Sequence, residues 1–227
     1  MATHPELTIR IESVGSTNGI WLAAFGMADL GLTSRSLWEE ERALGVTVLP
    51  YAKTALVVGT DPTVVEDGLT TAELLDIYRG GKRRWRGGQE IALLARQKGD
   101  SSIEALRATV PGFAAAYATG EQLGWWNIFY SEESMLEALV SGSFSVGLTD
   151  LGTMTIERLP IKPLSIDGAT PTLDNVASGR YRLTKTLSFV FRTAGLSPAA
   201  HAFVRFVRSE EARSLLRTSG YLPVDGR

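Results

Sequence analysis

The sequence has 227 residues, no cysteine and only two histidines. The lack of cysteine excludes disulfides, thiolate metal sites and cysteine nucleophiles, and it is compatible with either an oxidising or a reducing compartment. The histidines, His4 and His201, lie near opposite ends of the chain, and neither has a second ligand at metal-binding spacing. We therefore expect no metal site and no cofactor.

Strong net charge and long apolar runs are also lacking. The formal net charge is -2, and the only basic run is the short segment 82–84, so nothing in the charge pattern favours nucleic acid or an anionic membrane as a partner. No stretch approaches the roughly 18 apolar residues of a membrane-spanning helix. The first residues have neither the basic region nor the apolar run of a signal peptide.

Glycine and proline separate short apolar runs from helical periods in alternation, which is typical of an α/β protein with a mostly parallel sheet. Strands are predicted over residues 7–13, 28–32, 46–49, 54–59, 89–95, 144–148, 162–166 and 186–191. Helices are predicted over 20–25, 37–44, 69–78, 100–109, 111–119, 132–140, 199–207 and 210–217. A two-lobe arrangement fits best, with residues 1–60 and 186–227 in the first lobe and 61–185 in the second.

Small polar residues mark the junction between the first predicted strand and the first predicted helix. Ser16, Thr17 and Asn18 follow the alternating run 7–13 and precede the apolar run 20–25. Hydroxyls and free backbone N–H groups at the start of a helix favour a bound oxyanion. The alternative is ordinary N-capping, for which these residue types are the most common.

A second strand-to-helix junction repeats this chemistry between residues 96 and 102. Arg96 offers a planar cation with five donors, and Asp100 or Ser101 is a natural N-cap for the helix that follows. The alternatives are that Arg96 is a surface charge or pairs with a nearby acid, and that Asp100 is only a cap.

Other conspicuous residues are interpreted structurally. The pair Trp125 and Trp126 is typical of core packing, and the acidic run 39–41 is typical of a solvated helix face. No Gly-x-Ser-x-Gly elbow and no paired histidine is available to activate Ser16 or Ser101. We therefore predict no catalytic residue and no enzymatic activity.

Several segments of the chain form a recognisable pattern. They are the Gly-Ser-Thr-Asn-Gly turn at 15–19, the segment 26–35, the helix 69–80 with Trp85, and the stretches 176–185, 203–209 and 220–223. Together they resemble the phosphate-type periplasmic substrate-binding proteins of ABC transporters. The resemblance implies a two-lobe type II periplasmic-binding-protein-like α/β fold with a ligand cleft between the lobes. It also implies binding of a small tetrahedral oxyanion, delivery to a membrane permease, and a periplasmic or extracellular location, although the missing signal peptide leaves a cytoplasmic one open.

Carried over position by position, the resemblance implies anion contacts in both lobes. Donors without bulk, such as hydroxyls, N–H groups and one arginine, suit a dehydrated tetrahedral anion. A carboxylate beside them accepts only from a protonated ligand, so we hypothesise that Asp100 favours hydrogen phosphate over sulfate. The predicted ligand-binding residues are Ser16, Thr17, Asn18, Thr33, Ser34, Arg96, Asp100, Ser101 and Ser102.

Two departures from the family pattern leave alternatives open. The family's second turn usually reads Ser-Gly-Thr, whereas Asp100-Ser101-Ser102 stands here, so phosphate, sulfate, molybdate and tungstate all stay candidates. Family members also have a strand, a turn and a helix before the segment that begins here at Leu7, and we expect a trimmed chain, a rearranged lobe, or a homodimer or partner segment that fills the gap. The alternative function is a sensory or interaction module with an incomplete site; a hydrolase is the least favoured.

Overall fold

The computed structural model describes residues 8–225, and the chain divides into two compact units. The first unit comprises Met1–Ala52, Thr186–Leu215 and Pro223–Arg227, and the second comprises Lys53–Lys185 and Leu216–Leu222. Residues 53–60 and 216–222, which the predicted lobe division assigned to the first lobe, thus lie in the second unit. The lobe division itself stays a prediction.

Helices and short strands alternate along the chain. The first half contains α1 (Gly15–Ala24), β1 (Gly31–Thr33), α2 (Glu39–Arg42), β2 (Val46–Thr60), β3 (Gly68–Leu69), α3 (Thr71–Tyr78), β4 (Ala92–Arg96), α4 (Ser101–Thr109) and α5 (Phe113–Leu123). The second half contains β5 (Asn127–Phe129), α6 (Glu132–Ser141), β6 (Ser145–Asp150), α7 (Leu151–Glu157), β7 (Lys162–Pro163), β8 (Ser165–Ile166), α8 (Leu173–Ala177), β9 (Thr184–Arg192), α9 (Pro198–Val207), α10 (Glu210–Thr218) and β10 (Leu222–Pro223).

In the first unit, helix α1 packs closely against strand β1. A Cβ atom at Gly19 would lie 2.7 Å from the carbonyl oxygen of Leu32, and one at Gly31 would lie 2.1 Å from the carbonyl oxygen of Gly19, so glycine at both positions permits the approach. Strand β1 pairs antiparallel with β9. This packing brings the first turn of α1 next to the residues that follow β1.

In the second unit, the central strands lie in the order β2, β6, β4, β5. Strand β4 is parallel to both β5 and β6, so the three carboxyl ends meet at one edge of the sheet. The last residues of these strands are Arg96, Phe129 and Asp150. Helices α4, α6 and α7 begin shortly after them, and the edge outside the carboxyl ends of parallel strands is where α/β folds bind ligands.

The larger hydrophobic core belongs to the second unit and contains a group of aromatic rings. Tyr117 packs against Trp126 with ring centroids 5.0 Å apart, and Tyr78 contacts Phe113 edge-on at 4.7 Å. The indole N–H of Trp126 donates to the carbonyl oxygen of Tyr78 at 3.0 Å. Trp126 is buried and Trp125 packs against the same core, so the structural interpretation of this pair is confirmed.

Three features of the predicted secondary structure are wrong. Residues 8–13 form no strand: Ile9 and Ile11 are 41% and 80% exposed, and no strand in residues 8–225 pairs with this run, while Leu7 lies outside the described residues. The sheet is mixed, because the β1–β9, β2–β6 and β2–β7 pairs are antiparallel. The runs 46–49 and 54–59 form one strand that continues through Pro50.

Helices α3 and α4 each begin at a capping side chain. Thr70 accepts a hydrogen bond from the backbone N–H of Glu73 at the start of α3, and Asp100, a predicted cap, accepts one from Ser102 at the start of α4. Across residues 8–225, none of the helices is long and apolar enough to cross a bilayer.

Candidate functional site

Arg96 lies at the carboxyl edge of the second unit and is only 7% exposed. Its Nη1 donates to the carbonyl oxygen of Phe129 at 3.0 Å, which joins the ends of β4 and β5. Its Nε and Nη2 donate to Oδ2 of Asp100 at 3.1 and 2.9 Å, and its own carbonyl oxygen accepts from the hydroxyl of Tyr117 at 2.8 Å. These contacts hold the guanidinium in front of the N-terminus of α4.

Asp100 uses both carboxylate oxygens within the chain. Oδ1 accepts from the backbone N–H of Ser102 at 2.9 Å, while Oδ2 accepts from Arg96. The interpretations of Asp100 as a cap and of Arg96 as a partner of a nearby acid are therefore confirmed. Ser101 is half-buried and Ser102 is buried, and their side-chain hydroxyls make no hydrogen bond within residues 8–225. The turn thus combines one arginine, one carboxylate and two hydroxyls.

Lys185 and Asp150 are further charged residues near the carboxyl edge of the second unit, and neither was predicted from the sequence. Nζ of Lys185 lies 3.4 Å from Oδ2 of Asp150, and the two side chains are 7% and 11% exposed. Burial lowers the pKa of Lys185, but the negative charges of Asp150, Glu132 and Asp100 outweigh it and raise that pKa above its ordinary value. The one available signal was a lysine directly before the predicted strand 186–191.

In the first unit, four of the five predicted residues come together. The Oγ atom of Ser16 accepts from the backbone N–H of Ser34 at 3.1 Å, and Oγ1 of Thr17 accepts from Nη2 of Arg35 at 2.9 Å. Thr33 donates its hydroxyl to the carbonyl oxygen of Arg35 at 3.0 Å. The fifth residue, Asn18, is exposed, and its side chain donates to a backbone carbonyl of the preceding turn.

Capping does not explain these residues. Helix α1 begins at Gly15, its N-cap is Val14, and no side chain caps it. Ser16, Thr17 and Asn18 therefore lie inside the first helical turn, and the N-capping alternative for them is wrong.

Arg35 organises this group, although the sequence analysis assigned it no role. It forms a two-pronged ion pair with Glu41 at 2.7 and 2.6 Å, and its guanidinium carbon lies 3.7 Å from the centre of the Trp38 ring. Glu41 is fully buried, so the interpretation of the acidic run as a solvated face is wrong for this residue. Burial acts to raise the pKa of Glu41, but hydrogen bonds and the charge of Arg35 hold that pKa below its ordinary value.

One donor of Arg35 stays without a partner. Its Nε atom is buried and makes no hydrogen bond within residues 8–225. A buried donor without an acceptor is costly, and such groups are commonly satisfied by water or a ligand. Among the same residues, no group of three His, Cys, Asp or Glu side chains is arranged to hold a metal ion.

A family model described as PBP superfamily domain matches residues 1–211. A protein named phosphate-binding protein PstS from Bacillus subtilis is 23% identical over 99% of this chain and 74% of its own length. A protein of the same name from Borreliella burgdorferi is 21% identical over 95% of this chain and 80% of its own. These relatives are named as binding proteins rather than enzymes, which supports the prediction of a non-catalytic chain.

Solved structures match over nearly the whole chain. A structure from Clostridium perfringens, named as a phosphate ABC transporter substrate-binding protein with bound phosphate, has a TM-score of 0.88 and 21% identity and covers 99% of this chain and 90% of its own. An ABC-type phosphate transport receptor from Vibrio cholerae has a TM-score of 0.71 and 24% identity, with coverages of 97% and 90%. These matches confirm the predicted type II periplasmic-binding-protein-like α/β fold.

Proposed function

The chain belongs to the PBP superfamily domain family, and from this premise we propose that it binds inorganic phosphate as the substrate-binding component of an ABC transporter. The observation that carries the proposal is Arg96, a buried arginine at the carboxyl end of β4 and in front of the N-terminus of α4. A helix N-terminus with a planar multi-donor cation beside it is suited to a tetrahedral anion. The names of the relatives in Bacillus subtilis and Borreliella burgdorferi support the same ligand.

Residues of the first unit are proposed as anion-binding groups as well. Ser16 and Thr17 carry hydroxyls at the start of α1, and Ser34 supplies a further hydroxyl beside them. The buried Nε of Arg35 is an additional donor in this group. Together they offer the hydroxyls and N–H groups that a tetrahedral oxyanion requires as donors.

The charges of the second unit favour an anion that still carries a proton. Arg96 and Lys185 face three carboxylates, those of Asp100, Glu132 and Asp150, so this cluster has a formal charge of -1. A fully ionised sulfate has no proton to donate to a carboxylate, whereas hydrogen phosphate does. We therefore propose phosphate, rather than sulfate, molybdate or tungstate, as the ligand. Asp100 is the proposed acceptor of a hydrogen bond from the ligand's proton.

The family relationship also supports proposals about partners and location. We propose delivery of the anion to an ABC-transporter permease and a periplasmic or extracellular location. The exposed, unpaired run 8–13 is compatible with a homodimer or a partner segment that pairs with it, and this too is a proposal.

A thermal-shift screen tests the ligand. Phosphate, sulfate, molybdate, tungstate and several organic acids would each be added to the purified chain, because a ligand at 100 times its dissociation constant stabilises the folded state by about 2.7 kcal/mol. We expect a clear rise in melting temperature with phosphate and a smaller one, or none, with sulfate. If another anion alone raises the melting temperature, that anion replaces phosphate as the proposed ligand.

One observation favours a second candidate function. Asp100 already accepts from Arg96 and from the N–H of Ser102, which are groups that an anion would use. If no anion shifts the melting temperature, the chain is better described as a sensory or interaction module that keeps the fold without a working site.

A further inference from the structure

We propose that Lys185 is an anion-binding residue of the second unit and that Asp150 holds its ammonium group in place. This inference rests on the proposed function, since it adds a contact for the same ligand. Lys185 lies outside the three segments, 16–18, 33–34 and 96–102, from which the ligand-binding residues were predicted. Its position, its unused donors and its charged neighbours carry the inference.

The position of Lys185 is set by the strands around it. It is the second residue of β9, and its ammonium group forms an ion pair with Asp150, the last residue of β6. The carboxyl end of β6 lies at the same edge of the sheet as the end of β4, where Arg96 is found. The ammonium group is therefore near the ends of the strands, where α/β sheets bind their ligands.

The ammonium group has more donors than the protein uses. A lysine ammonium carries three N–H donors, and within residues 8–225 its one hydrogen-bond acceptor is Asp150, at the long distance of 3.4 Å. The side chain is only 7% exposed, so bulk water has little access to it. Buried donors of a charged group are costly to leave unpaired, and a bound oxyanion would satisfy them.

The charged neighbours connect Lys185 electrostatically with the turn that contains Arg96 and Asp100. Asp150, Glu132 and Asp100 all act on the ammonium electrostatically, and Asp100 is the direct partner of Arg96. Because Asp100 offsets much of the charge of Arg96, that arginine alone attracts an anion only weakly. A second cation in the same region strengthens binding, and its partner Asp150 is fixed by its role as the N-cap of α7, where Oδ1 accepts from Thr153 at 2.9 Å.

Calorimetric titration with inorganic phosphate at pH 7 tests this proposal in four variants. Lys185→Met removes the cation, and Lys185→Met combined with Asp150→Asn also removes the carboxylate that would otherwise stay buried without its partner. Lys185→Arg keeps the charge. Lys53→Met is the matched control, because Lys53 is an exposed lysine of the same unit.

We expect the single and the double variant to bind phosphate at least about tenfold more weakly than the wild type, since a hydrogen bond to a charged group contributes about that factor or more. Lys185→Arg should keep most of the affinity, and Lys53→Met should keep all of it. Circular dichroism and thermal melts establish that each variant is folded. Because asparagine is also a good N-cap, the double variant should retain α7.

Two results would overturn the inference in different ways. If the double variant folds and binds phosphate as tightly as the wild type, Lys185 has only a structural role, while the proposed function stands. If the wild type takes up no phosphate, the proposed function fails and the inference fails with it.

Discussion

Arg35 and Glu41 form an ion pair whose side chains are 2% and 0% exposed. The pair is tied to the first helical turn through Thr17 and is covered by the ring of Trp38. A buried ion pair adds little net stability, but removal of one partner leaves an uncompensated charge in the interior. Through these contacts the pair fixes the hydroxyl of Thr17 relative to the segment that follows β1.

For Glu41→Gln, we expect a loss of about 3 kcal/mol in the free energy of unfolding at pH 7, because Arg35 loses its charged partner. Urea denaturation measures this loss. Glu40→Gln, an exposed position on the same helix, should change the free energy by less than about 0.5 kcal/mol.

The same substitution predicts a pH dependence. The pKa of Glu41 is lowered from 4.5 in the folded state, so its stabilising contribution is present above that value and is lost as the pH falls through the lower folded pKa. The difference between wild type and Glu41→Gln should therefore shrink below about pH 4. A difference that stays constant from pH 7 to the acid range would contradict this account.

Asp100 is the residue on which anion selectivity is proposed to depend. Asp100→Asn preserves an N-cap for α4 but removes the negative charge beside Arg96. We expect the affinity for sulfate to rise relative to that for phosphate by roughly tenfold, because the carboxylate no longer repels an anion without a proton. Calorimetric titration of both anions into wild type and variant gives the ratio, and an unchanged ratio would remove Asp100 from the selectivity mechanism.

At the scale of elements, helix α5 packs against α3 through a glycine. A Cβ atom at Gly120 would lie 2.0 Å from the carbonyl oxygen of Tyr78 and 2.4 Å from Nε1 of Trp126. That carbonyl accepts the indole hydrogen bond of Trp126. The glycine therefore permits the contact between the two helices and the aromatic core.

Gly120→Ala should destabilise the second unit by about 1–3 kcal/mol or more. Alanine improves helix propensity by about 1 kcal/mol, but the added methyl group displaces Tyr78 or Trp126. Thermal or urea unfolding checks this, with Thr119→Ala as a control at an exposed position of the same helix. A variant as stable as the wild type would show that α3 and α5 separate at little cost.

Elements with local signals were predicted well, and elements that depend on distant partners were not. Asp100 caps helix α4, as its residue type and its position before the helix predicted. Residues 8–13 form no strand because alternation alone provides no neighbouring strand. Two strands were predicted where the structure has one, because proline commonly interrupts a strand, whereas β2 continues through Pro50.

The candidate site divides in the same way. Arg96 and Asp100 were predicted because they follow a strand and precede a helix, which is visible in the sequence. Arg35 and Lys185 were not predicted, because charged residues are usually exposed. Their burial depends on an ion-pair partner from another element. Such partners are six and 35 positions away in the chain, and nothing local indicates them.

At the scale of the whole molecule, the chain has the fold of substrate-binding proteins, and each unit carries its own set of proposed anion-binding groups. The first unit gathers hydroxyls around the buried Arg35. The second places Arg96 and Lys185 near the carboxyl ends of its parallel strands. Phosphate binding should therefore depend on residues that are far apart in the sequence but alike in chemistry.

Calorimetric titration of phosphate into the wild type and Arg96→Ala tests the central claim most directly. We predict saturable binding to the wild type, an affinity at least about tenfold lower in Arg96→Ala because charged hydrogen bonds are lost, and unchanged affinity in Arg107→Ala. Arg107 is the matched control, an arginine on α4 whose side chain is 44% exposed. Equal affinity in the wild type and a folded Arg96→Ala would contradict the account.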